Sequence, residues 1–511
     1  MAHRNSLTPL PPLLIAAVIL ISNCSCLIEA NSRTPLFAVP SDLLVDRAPV
    51  NALNPGESSS EVAYAFPLKV SENHRFLVDQ HGRPFRIQGD SAQSLIANLT
   101  FAEADTYLTD RRSKGFNSVN INLLEHKFAI NAPKNRRGDS PFTVADNFAT
   151  PNVAYFDFAD SIIDLAASKG MLVSLAAMYL GYGGGAEGWW STLTNAANTQ
   201  AVCYTFGLYV GNRYKNRANI LWVIGGDFTP PPGSEGEKRL HKFMEGIKAA
   251  AAPQLWSGDW NASCISTDVR AFATDMDVNA VYTYGINGKD GLTYGESQVA
   301  YKYSPTRPAY LKETGYEEEV LLPGDPTSVR KYQYWAVLGG ATAGVFFGHR
   351  DIWDFATSHW SSGLAPNARP WQTSLNSTGA FDTRRLGKLL DSIAWYKLVP
   401  SGMSGMQRLI AAGGGTYGKG DYVIAAAAAD RSVLLAYLPP EANAGGIAVN
   451  MGALAGPARA RWFDPTSATF IDIPGDPFRN SGSRTFSILG NNAAGAQDWV
   501  LVLETHKNIG R

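Results

Sequence analysis

The sequence predicts an α/β fold, a (β/α)8 barrel followed by a small antiparallel β-sandwich. Three observations lead there. Between residues 61 and 400, short apolar runs alternate with helix-length segments eight times over roughly 300 residues, the pattern of a closed parallel barrel. Beyond Pro400 the texture changes to short alternating runs separated by Gly, Pro and Asn, which predicts a sandwich over 401–511. Two of the apolar runs, Asn219-Ile-Leu-Trp-Val-Ile-Gly-Gly-Asp227 and Pro308-Ala-Tyr-Leu-Lys-Glu313, end abruptly in a carboxylate.

The elements follow in order. Phe76 to Phe85 is predicted as a hairpin turning at Asp79 to Gly82, and Arg86 to Asp90 as the first barrel strand. Thr100 with Glu103 three residues on is a capping box, and the helix it opens stops at Lys114-Gly115. Asn117 to Leu124 is the second strand. A helix over 154–169 stops at Gly170, and Met171 to Ala177 is the third strand. A helix over 196–215 leads to the fourth, which ends at Asp227. Glu235 to Ala252 is helical, and Pro253 to Trp256 is a short fifth strand. Asp277 to Tyr282 is the sixth and Pro308 to Glu313 the seventh. A helix over 326–340 precedes the eighth, Thr342 to Phe347, and a helix over 381–392 closes the set. A doubly wound sheet rarely needs eight units, and no GxGxxG loop follows the first strand. In the tail, Tyr422 to Ala425, Ser432 to Tyr437 and Trp499 to Glu504 are sandwich strands.

At the N-terminus, Arg4 precedes the apolar stretch Leu13 to Ile21, a signal-peptide layout over 1–30 too short for a comfortable membrane span. A secreted, periplasmic or extracellular protein is expected, and lipid attachment at Cys24 or Cys26 has weak support because Asn23 and Ser25 make a poor lipobox. Residues 31–60 are rich in Pro, Ser and Asn and are expected to be mobile. Removal of the leader leaves Cys203 and Cys264, an even pair compatible with a disulfide. Forty-four basic against forty-five acidic residues leave no field for nucleic acid. No CxxC or HExxH pattern is present, so neither metal nor cofactor is expected.

Catalytic groups of a parallel barrel sit at the C-terminal ends of its strands. Two carboxylates delivered there, Asp227 and Glu313, suit hydrolysis of a glycosidic bond, one as proton donor and the other as nucleophile or base. The same residues are also compatible with structural caps or ion pairs. Candidate substrate-binding groups at the same face are Asp90, Asn122, Glu125, His126, Tyr179, Trp189, Tyr282, Tyr284, His349 and Trp353. Gly183-Gly-Gly185 with Trp189-Trp190 reads as a substrate loop.

The ordered motifs Gly89-Asp-Ser91, Leu99-Thr100 with Glu103, Tyr107-Leu108, Arg111 to Asn117, Pro151 to Phe156, Arg213-Tyr214, Asn219 to Asp227, Glu313 with Tyr316-Glu317, Arg330 to Trp335 and Gly339 to Trp353 resemble the apiosidase-like glycoside hydrolases, the DUF4038 or glycoside hydrolase family 140-like group. Tyr437-Leu-Pro-Pro and Arg461-Trp-Phe-Asp-Pro-Thr466 resemble the β-domain labelled "putative collagen-binding" that follows those barrels.

The resemblance implies a retaining, exo-acting glycosidase with Asp227 as acid/base and Glu313 as nucleophile. It implies a terminal apiose-like furanose on an oligo- or polysaccharide as substrate. In that mechanism Asp227 needs a raised pKa, and Glu313 stays ionised beside Tyr282 or Tyr284. Two departures are expected to fall on the substrate side: Tyr179 to Gly185 replaces a Trp-Gly-Asp type segment, and Phe347 stands where Tyr is common. The rival readings are a carbohydrate-binding protein on an inactive barrel and a matrix-binding protein acting through the C-terminal domain.

Overall fold

The computed structural model describes residues 63–505 apart from 126–128, 251, 285–291, 320–323, 359–368 and 443–444. The expected leader and the segment 31–60 lie outside the described residues, as does His126. Among the described residues, no helix is long and apolar enough to cross a membrane.

The barrel is present. Its parallel strands are β1 (Ile87–Ser91), β2 (Ser118–Asn122), β3 (Leu172–Tyr179), β4 (Ile220–Gly225), β5 (Trp256–Asp259), β6 (Asn279–Tyr282), β7 (Ala309–Glu313) and β8 (Gly344–Phe347). They pair in the order β5-β4-β3-β2-β1-β8-β7-β6, and a short antiparallel strand, Cys264–Ile265, pairs on β6. Outside run α1 (Phe101–Ser113), α2 (Val153–Ser168), α3 (Gln200–Tyr214), α4 (Glu235–Ala249), α5 (Leu292–Lys302), α6 (Pro326–Gly339) and α7 (Thr378–Asp391). The capping box of α1 forms as read, with Thr100 and Glu103 reciprocally bonded.

One predicted strand differs in its bounds, and one connection is unlike the others. The fifth strand begins at Trp256 rather than Pro253, whose missing N–H cannot join a ladder. No helix follows β5; two 3-10 turns, Ser266–Asp268 and Ala273–Asp275, stand there. This connection closes the barrel instead. Asp277 and Val278 donate their N–H groups to Trp256 O at 2.9 and 3.1 Å. Ser266 Oγ lies between the two strands, accepting from Ala280 N at 2.7 Å and donating to Gly258 O at 2.7 Å.

Strand alternation sorts the barrel's side chains. Val119, Ile121, Val173, Leu175, Trp222 and Ile224 point outward into the helix layer. Ile87, Leu172, Leu221, Ala280, Tyr310 and Phe346 point inward, and with Leu68, Leu77 and Phe85 of the N-terminal hairpin they fill one end of the barrel with hydrocarbon. Above that plug the interior turns polar.

The C-terminal β-domain has a six-stranded antiparallel sheet of β9 (Leu398–Pro400), β11 (Ile424–Ala428), β12 (Val433–Leu438), β17 (Trp499–Thr505), β14 (Ala458–Asp464) and β15 (Thr469–Asp472), in that order. A smaller sheet holds β10 (Ile410–Ala412), β13 (Ile447–Asn450) and β16 (Ser483–Phe486). The large sheet is apolar on both faces. Leu434, Ala436, Leu501 and Trp462 meet the small sheet, while Leu435, Tyr437, Val500 and Phe463 join the cluster containing Trp335, Leu338 and Leu386 of the barrel helices. Burial on both sides is why β12 is a continuous apolar run rather than an alternating one.

Cys203 and Cys264 are not bonded to each other. Cys203 is enclosed in α3, where its thiol donates to Asn198 O at 3.5 Å and burial pushes its pKa up to about 12.

Candidate active site

The turn after β4 carries Asp227. Gly225, Gly226 and Asp227 take φ of 98°, 114° and 53°, three consecutive residues in the left-handed half of backbone space. Glycine is required at the first two for space as well. A Cβ at Gly225 would lie 2.1 Å from Asp259 O, and one at Gly226 would lie 2.5 Å from the Tyr179 ring. Asp227 accepts this conformation at a cost on the order of 1–3 kcal/mol, a strain that clusters at functional sites. The turn is anchored by Gly226 N donating to Asp259 O at 2.6 Å and Gly183 N donating to Asp227 O at 3.1 Å.

Glu313 reaches the same chamber through a bulge. In the β6–β7 ladder Val281 pairs with Leu311 and Tyr282 with Glu313, so Lys312 is the extra residue. The bulge breaks the in–out alternation. Tyr310 and Lys312 point inward as parity requires, and Glu313 follows them inside.

The two carboxyls share a tyrosine-walled chamber. Tyr179 OH donates to Asp227 Oδ2 at 2.8 Å. Tyr282 hydrogen-bonds Asp227 and lies within the field of Glu313. Tyr316 hydrogen-bonds Glu313 and accepts from Gln93 Nε2 at 3.0 Å. Tyr284 packs edge-on against Tyr282, with centroids 5.6 Å apart, and donates to Glu319 Oε1 at 3.3 Å.

Burial first, and then the charge of Asp259, push the Asp227 carboxyl up to about 6. Burial and then the charge of Asp227 hold Glu313 well above the usual carboxylate range. The expectation that Tyr282 or Tyr284 holds Glu313 ionised is therefore corrected. Those hydroxyls serve Asp227 and Glu319, and it is Tyr316 and Lys312 that favour the Glu313 anion. Two buried acids facing one chamber resist double ionisation, so together they retain a proton that either alone would release.

The remaining predicted residues divide. Asn122 follows the inward parity of Asn120 and presents a buried Nδ2 that no protein group accepts. Glu125 is buried, with Oε1 accepting from Ser94 Oγ at 3.1 Å. Trp353 is buried just past β8. Asp90 is not at the mouth: Ile87 and Ser91 are the inward residues of β1, and Asp90 faces outward to Tyr107 OH at 2.7 Å and Arg111 Nε at 3.1 Å. Trp189 is a packing residue, enclosed against Phe142 and donating Nε1 to Glu125 O at 2.6 Å. Phe347 also turns outward, toward Phe116, because Phe346 takes the inward place. Of the glycine loop, Tyr182 is the exposed member at 68%.

His349 is fully buried, accepts from Asp351 N at Nδ1, and is held neutral by burial with its pKa lowered to about 4. Glu318, His349 and Asp351 bring ligand atoms within 4.8 Å of one another. Their carboxylates are already engaged by Arg350 and Arg369, so the donor set does not suit a cation.

Asp259 and Lys312 escaped the sequence reading. Lys312, at 2% exposure, places Nζ 3.1 Å from Asp259 Oδ2 and 3.8 Å from Glu313 Oε2. Asn120, with its amide oxygen turned inward, accepts from the same ammonium at 3.2 Å. A lysine within the buried strand Ala309–Glu313 was the available signal, and Asp259 lay three residues beyond the end drawn for the fifth strand.

Comparison with known proteins decides the family. The model described as "Apiosidase-like, catalytic domain" matches residues 71–397. The chain belongs to the apiosidase-like glycoside hydrolases. A second model, "Putative collagen-binding domain of a collagenase", matches residues 406–504 of this apiosidase-like chain. A solved glycoside hydrolase aligns with TM-score 0.72 and 22% identity, over 86% of this chain and 97% of its own. A glycoside hydrolase family 5 structure from Bacteroides vulgatus aligns with TM-score 0.73 and 20% identity, over 88% of this chain and 96% of its own. At these identities the likeness is one of fold. No curated protein matches the sequence.

Proposed function

We propose that this glycoside hydrolase is an exo-acting, retaining enzyme that releases a terminal furanose of the apiose type from a polysaccharide. The observation that carries the reading is the pair of buried carboxyls, Asp227 after β4 and Glu313 at the end of β7, both in the field of Tyr282. Glu313 attacks the anomeric carbon while Asp227 protonates the leaving oxygen, and Asp227 then takes a proton from the water that releases the sugar. Burial raises both carboxyls, so the pair retains a proton near neutrality. The charge of Asp259 favours that proton on Asp227, and the ammonium of Lys312 beside Glu313 favours the anion there. Asn122 Nδ2, buried and unaccepted, suits a sugar hydroxyl. The apiose-type sugar rests on the family likeness, and the altered loop at Tyr179 to Gly185 is where this chain would depart from it.

The test is a panel of aryl furanosides and pectic oligosaccharides, with the anomers of the products followed by NMR. Hydrolysis with retained configuration, lost in Glu313→Ala, is expected. Inverted products would overturn the double displacement. Sugar binding without turnover anywhere on the panel would favour a non-catalytic binding protein.

Export is also proposed from the leader-like residues 1–30. N-terminal sequencing of the mature protein should begin near residue 31, and a mature chain that retains Met1 refutes it.

A further inference from the structure

Beneath the two proposed reacting carboxyls lies a second buried pair, Lys312 and Asp259, for which the double-displacement scheme has no direct use. Lysine is almost never this deeply enclosed unless paired, because desolvating an ammonium costs several kcal/mol or more. Here the partners are Asp259 at 3.1 Å, the Asn120 amide oxygen at 3.2 Å and Glu313 at 3.8 Å. The backbone also had to bend for this arrangement. The bulge at Lys312 lets two successive residues of one strand, the ammonium and the proposed nucleophile, both enter the barrel.

Charge counting shows what the pair does. Around the ammonium of Lys312 stand three carboxyls, Asp227, Glu313 and Asp259, with Glu319 farther off beyond Tyr284. Asp259 and Lys312 pair with one another, and the other two acids, both raised by burial, resist ionising together. The placement is asymmetric. Lys312 stands 3.8 Å from Glu313 on its own strand. Asp259 stands beside the turn of Asp227, its strand register opposite Gly225 and its carbonyl holding Gly226 N. Both charges reach both acids, but the cation acts more strongly than the anion on Glu313 and the anion more strongly than the cation on Asp227.

We propose that Lys312 and Asp259 form a polarising pair that assigns the chamber's one negative charge to Glu313 and its one proton to Asp227. The two are positioning residues, acting through the reacting carboxyls rather than on the sugar. The inference rests on the roles given to those carboxyls above. The other titratable groups around the chamber are the partly buried Glu319 carboxyl, which accepts from Tyr284 OH at 3.3 Å and feels the charge of Asp227, and hydroxyls: Tyr310 beside Lys312, Tyr179 and Tyr282 on Asp227, and Tyr316 and Tyr284 near Glu313. Burial keeps the Tyr179, Tyr282, Tyr284 and Tyr316 protons in place well beyond neutral pH. Lys312 is therefore the cation whose removal redistributes charge between the acids.

The experiment follows carboxyl carbon shifts against pH in full-length protein labelled at Asp and Glu side chains, with the two resonances identified by their loss in Glu313→Gln and Asp227→Asn. An opposite charge within about 4–6 Å lowers a carboxyl pKa by roughly 1–3 units. Lys312→Met should therefore raise the Glu313 midpoint by about that amount and the Asp227 midpoint by less, with Lys312→Arg restoring part of the gap. Lys312→Met/Asp259→Asn removes both charges, leaves no unpaired buried ion, and should return the Asp227 midpoint downward. That double variant also serves should the single variant fail to fold. Equal displacement of both midpoints, or none, in a folded variant overturns the proposal. Glu313→Ala, assayed alongside on the aryl furanosides, keeps the premise separate. Turnover by that variant would refute the assignment of the nucleophile, whereas an inactive Glu313→Ala with unmoved midpoints in Lys312→Met sinks only the polarising pair.

Discussion

The molecule contains two buried charge clusters built from similar parts for opposite ends. At the junction of barrel and β-domain, Arg330 of α6 is enclosed between Asp382 of α7 and Asp498 just before β17. Its guanidinium meets Asp498 through two near-parallel bonds of 2.7 and 2.8 Å, and Asp498 also accepts from Tyr437 OH at 3.0 Å and Asn492 Nδ2 at 2.8 Å. Arg385 takes the second oxygen of Asp382. Two acids meet two guanidinium groups, and Tyr334 of α6 stacks flat on Tyr437 of β12 at 4.6 Å beside them. At the barrel mouth, by contrast, three acids meet one ammonium, and Asp227 Oδ1, Asp259 Oδ1 and Asn122 Nδ2 are buried with no bond to accept or give. The balanced cluster joins the barrel to the β-domain; the acid-rich one carries more carboxyls than cations and leaves buried polar atoms unbonded. An excess of acid over cation, more than burial or unbonded atoms, separates the mouth from the clamp, where Tyr334 OH is likewise buried without a bond.

Opposite outcomes in the two clusters would make this contrast quantitative. Glu313→Ala should remove turnover to background while leaving the thermal midpoint within a few degrees of wild type, because a strand-end carboxyl in a chamber is not core. Parallel turnover and melting measurements check this, and an active variant would erase the distinction. Arg330→Met should do the reverse. Stripping the cation from two buried carboxylates is expected to cost about 3–5 kcal/mol in denaturant unfolding, with kcat of the folded fraction near wild type. A loss confined to activity would show that the junction communicates with the mouth.

A smaller effect concerns Asp227 and stability. Its folded pKa, about 6, lies above the unfolded carboxyl's value, so its contribution to stability is fully present below the unfolded pKa and is lost as pH rises through 6. Asp227→Asn should therefore raise the thermal midpoint at pH 7–8, by on the order of a few degrees, and leave it unchanged near pH 3. A gain of equal size at both pH values would contradict the assignment of strain to the charged form.

The smallest shift is expected for Tyr179→Phe. Its hydroxyl donates to Asp227 Oδ2 and so favours the carboxylate; its loss should raise the Asp227 pKa further. The basic limb of kcat/KM should move to higher pH by less than about one unit, and a move to lower pH would show that the hydroxyl serves the protonated acid instead.

Much of this was legible in the chain. Periodicity, the Thr100–Glu103 capping box and the glycine stops located the barrel strands and most of the helices, because those features are local. Asp227 and Glu313 stood out because a carboxylate ending an apolar run is itself a local signal. The residues misjudged share a different property. Asp90 and Phe347 each sit at the end of a correctly drawn strand, but one step of parity turns them into the helix layer and gives the inward places to Ser91 and Phe346. Trp189 had the composition of a sugar platform, yet the fold uses it to cover Glu125.

The sequence by itself pointed to the barrel, the sandwich and the two candidate acids, since hydrophobic period and strand-end chemistry are written residue by residue, and its ordered motifs carried the family likeness. Only the tertiary structure decided what those acids face. A one-residue bulge brought Lys312 and Glu313 inside together, and a closed sheet carried Asp259 to the ammonium from 53 residues away. Neither event leaves a local mark, because both follow from how strands pair across the barrel rather than from any stretch of chain.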